Sequence, residues 1–111
     1  MKYSNLKGGS FVRHALITAG TKGLGKQVTE KLLAKGYSVT VTYHSDITAM
    51  ETMKETYKDV EERLQFVQAD VTKKEDLHKI VEKAMSRFGK IDFLINNTAK
   101  VLFSHDRNDK F

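Results

Sequence analysis

The sequence predicts an α/β domain: a parallel sheet of four strands in the order 3-2-1-4, one half of a doubly wound arrangement. Three observations predict it. Strand-like and helix-like stretches alternate from about residue 13 to residue 97. Each strand reaches the next through a helix, which makes the strands parallel and the crossovers right-handed. The first strand breaks into three closely spaced glycines, Gly20, Gly23 and Gly25, before a helix begins. Loops of that kind lie at the carboxyl ends of strands where the strand order reverses.

The first strand is read over Arg13 to Thr18, an apolar run containing a β-branched residue. Leu24, Val28 and Leu32 then recur at helical spacing, predicting a first helix from Leu24 to Lys35 with Gly36 as its left-handed C-terminal cap. Tyr37 to Tyr43 alternates with period two and is rich in β-branched and aromatic residues, a second strand. Ser45 or Asp46 is placed to cap a second helix whose inward face carries Ile47, Met50, Met53 and Tyr57. Leu64 to Ala69 is a short third strand ending at Asp70. Thr72-Lys73-Lys74-Glu75 matches a capping box, followed by the stripe Leu77, Ile80, Val81, Ala84, Met85 and Phe88, and Gly89 ends that helix. Ile91 to Ile95 is a fourth strand, continuously apolar after Asp92 as in strands covered on both faces, and Asn96-Asn97 stop it.

Composition narrows the function classes. At 111 residues and 40% apolar content, the chain holds one small domain. No stretch is long and apolar enough for a membrane span, and the opening residues lack the apolar core of a signal peptide, so the expectation is a cytoplasmic protein without a membrane partner. The absence of cysteine excludes disulfides and thiolate metal sites. His14, His44, His78 and His105 are scattered with no pair at ligand spacing, so no metal site is expected. A net charge of +5 raises nucleic acid as a partner, but the lysines are interleaved with acids on exposed helix faces. They are read as solvated surface, with no nucleic-acid partner.

The glycine loop admits three readings. The bland one is a tight strand-to-helix turn, although three glycines in six residues exceed what a turn needs. The second is a P-loop, since Gly20-Thr21-Lys22-Gly23-Leu24-Gly25-Lys26 matches G-x-x-x-x-G-K. Gln27, however, stands where a Ser or Thr hydroxyl should bind magnesium. The third is a dinucleotide site, with backbone N–H groups at a helix start aimed at a pyrophosphate. The ordinary G-x-G-x-x-G fingerprint is incomplete here, because Val28 occupies its third glycine position.

The stretch Thr18-Ala19-Gly20-Thr21-Lys22-Gly23-Leu24-Gly25 resembles the Thr-Gly-x-x-x-Gly-(Ile/Leu)-Gly loop of the short-chain dehydrogenase/reductase family, its bacterial 3-oxoacyl-(acyl carrier protein) reductases in particular. Asp70-Val71 after the third strand and Asn96-Asn97 after the fourth are similar to two further family signatures, in order. The resemblance covers about Arg13 to Asn97. It implies a Rossmann-type half domain over residues 13–99, while the polar, Gly/Ser-bearing opening reads as a flexible leader over 1–12 and the aperiodic end as an irregular tail over 100–111. Two departures stand out. Ala19 replaces the motif's first glycine, which a negative φ would make tolerable, and Asn97 is followed by Thr98-Ala99-Lys100 where the family has Ala-Gly.

The resemblance implies a nicotinamide cofactor held by Thr18, Gly20, Thr21, Lys22, Gly23, Leu24, Gly25, Tyr43, His44, Asp70, Val71 and Asn97. An NAD site places an acid about twenty residues beyond the loop, at the end of the second strand. That strand ends Thr42-Tyr43-His44-Ser45, with no acid before Asp46, and Lys22 sits where NADP-using members carry a basic residue. The expectation is therefore NADP(H) ahead of NAD(H). The family reduces carbonyl groups with a Ser and a Tyr-x-x-x-Lys group that follow the fourth strand. The sole Tyr-x-x-x-Lys spacing among the first residues, Tyr3 with Lys7, precedes the first strand and is assigned no role. No catalytic residue is therefore named. The chain is expected to be a truncated or frame-shifted product that binds a cofactor without turnover, and to self-associate through an exposed fourth-strand edge. A regulatory or interaction module without redox chemistry is the alternative from another class.

Overall fold

A computed structural model of the chain describes residues 12–97. The expectations for the leader, for Tyr3 and Lys7, and for the tail over 100–111 lie outside the described residues. The elements are β1 (His14–Thr18), α1 (Gly23–Ala34), β2 (Ser38–Tyr43), α2 (Ile47–Thr56), a 3-10 helix (Lys58–Arg63), β3 (Leu64–Gln68), α3 (Lys74–Phe88) and β4 (Phe93–Asn96). The strands form one sheet in the order β3-β2-β1-β4, and every pairing is parallel. The expected architecture is the observed one.

Two cores flank the sheet. On one face Ile17, Val39, Val41 and Leu64 pack with Leu33 of α1, joined by the half-buried Val28, Leu32, Tyr57 and Val60. On the other, Leu16, Val67 and Ala69 pack with Ile80 of α3. β2 is buried along nearly its whole length, because it is interior to the sheet and covered on both faces. Its alternating sequence is thus no sign of a solvated side. Gly36, at φ +92°, closes α1. Its N–H bonds to Leu33 O, and the Tyr37 N–H bonds to Leu32 O, at 3.0 Å each. This is the paired cap that only a left-handed residue permits.

Four local expectations are corrected. In α1 the fully buried residues are Gly25, Thr29 and Leu33; of the predicted stripe Val28 and Leu32 pack half-buried on the core, whereas Leu24 is 66% exposed. In α2 only Met53 is fully buried, and Ile47 is exposed. The capping box at Thr72 does not form. Thr72 instead gives its hydroxyl and its N–H to Oδ1 of Asp70, and α3 starts after Lys73 without a side-chain cap. That local turn outcompetes the helix N–H for the hydroxyl. Finally, β4 is not covered on both faces. Among the described residues it pairs on one side only, with β1, and Leu94 is 64% exposed.

Beneath the sheet, at the amino ends of the strands, His14 is buried. Its Nδ1 lies 2.6 Å from Lys90 O and its Nε2 2.8 Å from Thr40 Oγ1, which also lies 2.9 Å from the Gln65 side-chain amide. The ring also packs on Phe88. Burial pushes the imidazole pKa below its ordinary value, and the Lys90 carbonyl and the Asp92 carboxylate offset only part of that.

Candidate functional site

At the carboxyl ends of β1, β2 and β3 lies a cleft of about 340 Å³ lined by Ala19, Lys22, Thr42, Tyr43, His44, Ser45, Asp46, Ala69, Asp70, Val71 and Thr72. Its rim is the N-terminus of α1, the position at which the order of strands reverses. The first N–H groups of any helix have no partner within it. In α1 the N-cap residue, Lys22, supplies no side-chain cap, and no acid stands in the first turn. The first turn is therefore electropositive and suited to an anion.

The three glycines serve three different ends. A Cβ on Gly20 would lie 2.7 Å from Val41 Cγ1 and 2.9 Å from Thr29 Oγ1, so Gly20 lets α1 close onto the sheet. A Cβ on Gly25 would lie 2.3 Å from Ala19 O and 2.6 Å from Asn97 Nδ2, so Gly25 lets the helix start slide under the loop. Gly23 has φ +55° and open space around its missing Cβ. It alone of the three faces outward, where a ligand would approach.

Hydrogen bonds brace the loop from both neighbouring strands. The Ala19 N–H donates to Thr42 Oγ1 at 3.0 Å, and the Gly20 N–H to Thr42 O at 3.3 Å. Asn97 Nδ2 donates to Ala19 O at 3.1 Å. Thr18 Oγ1 donates to Asn96 Oδ1 and accepts the Asn97 N–H at 2.8 Å. Thr29 Oγ1 donates to Gly25 O at 2.8 Å. Ala19 nevertheless has φ +54°, the one positive φ outside glycine among the described residues. The negative φ that would have made the alanine tolerable is not adopted: the fold keeps the left-handed geometry natural to glycine and imposes it on alanine, at a cost of roughly 1–2 kcal/mol.

Of the predicted residues, Lys22, Tyr43, His44, Asp70 and Val71 line the cleft. Gly23, Leu24 and Gly25 form the adjoining first turn of α1. Gly20 and Thr21 are buried in the loop. Thr18 and Asn97 sit behind it as braces. Asp70 is fixed by Thr72, whose hydroxyl and N–H bonds hold its carboxyl below the usual carboxylate range. Its own N–H donates to Asp76 Oδ2 at 2.7 Å.

Sequence reading missed two contributors. Thr42 anchors the loop through both its hydroxyl and its carbonyl, and the signal was its place two residues before His44 on a strand passing beneath the loop. Asp46 lies past the end of β2, yet the buried Thr21 draws it back to the cleft by donating its hydroxyl to Asp46 Oδ2. Burial pushes that carboxyl's pKa up, but the Thr21 hydrogen bond, local N–H groups and the Lys22 charge together bring it below the usual range. Lys26, the lysine of the P-loop match, lies 3.8 Å from Glu30 one turn further along α1.

Comparison with known proteins agrees with this geometry. The profile of the short chain dehydrogenase family matches residues 13–110. YtkK of Bacillus subtilis, a protein named as an oxidoreductase, is 60% identical over 96 residues, which are 86% of this chain and 38% of YtkK. A Bacillus thuringiensis structure named as a 3-oxoacyl-reductase is 95% identical with a TM-score of 0.78, over 79% of this chain and 36% of that one. A 3-ketoacyl-(acyl-carrier-protein) reductase from Brucella melitensis, solved in complex with NADH, is 30% identical with a TM-score of 0.65, over 74% of this chain and 32% of that one. The chain thus spans less than two fifths of the length of each of these relatives. With a family profile matched over most of its length and a four-stranded sheet in the order 3-2-1-4, the chain belongs to the short-chain dehydrogenase family.

Proposed function

We propose that this chain is the NADP(H)-binding portion of a short-chain dehydrogenase/reductase whose chemistry is hydride transfer to a carbonyl, of the 3-oxoacyl thioester type. The observation that carries the reading is the cleft itself. It gathers residues of the glycine loop, the end of β2 and the Asp70-Val71 turn around the open first turn of α1. These three stretches are separated in sequence and meet only through the sheet order.

In this reading the pyrophosphate lies on the N–H groups of Gly23 and Leu24, and Gly23 gives it room. Tyr43, His44, Asp70 and Val71 border the adenosine. Lys22 supplies the charge for a 2′-phosphate, and no acid stands at Tyr43 or His44 to repel it. Thr18, Gly20, Thr21, Gly25 and Asn97 hold the loop in shape. The cofactor would supply the hydride; the residues of this chain bind and orient it.

Titration of the 111-residue chain with NADPH, NADH and ATP-magnesium tests the reading, followed by a turnover assay on a 3-oxoacyl thioester. The expected result is NADPH binding tighter than NADH, little binding of ATP, and no turnover. Equal affinity for the two dinucleotides, or an unaltered preference in Lys22→Ala, would refute the NADP(H) assignment. The apolar β4 edge with its exposed Leu94, together with the exposed Leu77, Val81 and Met85 of α3, is proposed as a surface for a second copy of the chain. A monodisperse monomer by light scattering would refute that.

A further inference from the structure

We propose that Asp46 is a specificity-determining carboxylate, one that limits how strongly this cleft favours a 2′-phosphorylated cofactor by opposing the charge of Lys22. The proposal rests on the reading of the cleft as a nicotinamide dinucleotide site.

Two placements carry it. Asp46 and Lys22 line the same cleft, together with His44 and Ser45. Asp46 is also tethered there, since Thr21 is 2% exposed and its hydroxyl donates to Asp46 Oδ2. A carboxylate on an open loop would swing to solvent and be screened. One clasped by a buried threonine of the glycine loop keeps its charge at the cleft wall.

A plain ribose presents hydroxyl donors, which such a carboxylate accepts. A 2′-phosphate presents anionic oxygens, which Lys22 attracts and Asp46 repels. The two charges therefore pull in opposite directions on one phosphate, and the wild-type preference is modest. Asp46 does this from beyond the end of β2, past the strand-end position at which an acid in the site is expected.

Asp46→Asn is the test, because an amide oxygen still accepts from the Thr21 hydroxyl while the charge is gone. The full chain, wild type and variant, is titrated with NADPH and NADH at low and high ionic strength. The ratio of NADPH to NADH affinity is expected to rise about tenfold in the variant at low salt, and the rise to shrink at high salt. Thr21→Val, which keeps the charge but removes the clasp, is expected to raise the ratio part of the way towards that of Asp46→Asn, because the freed carboxylate swings into solvent. An unchanged ratio in Asp46→Asn, or both affinities falling together, would overturn the proposal, as would a Thr21→Val ratio unchanged from wild type. Wild-type protein that binds neither dinucleotide would instead refute the cofactor reading, and this proposal with it.

Discussion

Gly25→Ala isolates the close approach on which the glycine loop depends. The added Cβ would lie 2.3 Å from Ala19 O, 2.6 Å from Asn97 Nδ2 and 3.0 Å from Gly20 Cα. Carbon and carbonyl oxygen approach to about 3.3 Å at closest in ordinary contacts, so loop and helix must part by about 1 Å. Two of these atoms, Ala19 O and Gly20 Cα, belong to the backbone and cannot turn aside, whereas the Asn97 side-chain amide can do so only by giving up its bond to Ala19 O. Overpacking of this kind costs about 1–3 kcal/mol, and loss of the Asn97 to Ala19 hydrogen bond adds about 1 kcal/mol. Removing a glycine from a helix returns up to about 1 kcal/mol. The net expectation is a destabilisation of about 1–3 kcal/mol, or a fall in Tm of roughly 5–20 °C for a domain of this size. Circular dichroism melts report the stability, and NADPH titration of the folded variant reports the loop. Binding should weaken at least tenfold at temperatures where the variant is folded, since the N–H groups of the first turn have moved. A variant with wild-type Tm and wild-type affinity would refute the reasoning, because it would mean that the loop does not need the approach.

Two further predictions concern strain and protons. Ala19→Gly should stabilise the fold, because relief of the left-handed φ outweighs the extra freedom of the unfolded chain; the expected gain is about 0.5–1 kcal/mol by urea denaturation. A loss of stability would show that the alanine methyl packs well enough to offset its strain. For His14 the folded pKa lies below the ordinary imidazole value, so the unfolded chain takes up its proton first as pH falls. The stability contributed by neutral His14 is therefore complete above the unfolded value of about 6.5 and is lost as pH falls towards the folded value. Urea midpoints measured from pH 7.5 down to about 5, compared with those of His14→Phe, check the sign; a midpoint that rises on acidification would contradict it.

The sheet was legible because its pattern is redundant: four strand-like stretches, each followed by a turn or a helix of the right length, leave few alternatives to 3-2-1-4. Finer features depended on contacts the sequence does not spell out. Leu24 fits a helical stripe by spacing, yet the start of α1 overhangs the cleft, and its apolar residue there meets solvent. Thr72 carries a capping-box signature, but a carboxylate two residues earlier, Asp70, was the nearer partner. The apolar run of β4 reads as a strand covered on both faces, whereas the described structure gives it one neighbour. In the site, loop, strand end and Asp70 turn were visible as motifs. Asp46 was not, because its place is set by one hydroxyl twenty-five positions away, on Thr21.

The bracket that joins Asn97 to the glycine loop also orders events in time. Asn97 lies 79 positions beyond Thr18 and 78 beyond Ala19. The loop leaves the ribosome well before its support, which arrives only once β4 and Asn97 have been made. Closing so long a span carries an entropic cost that must be met before the bond forms. The cradle therefore matures late, after β4 has docked on β1. A nucleotide bound there reports that the sheet is complete to its fourth strand, which makes cofactor affinity a gauge of assembly as well as of chemistry.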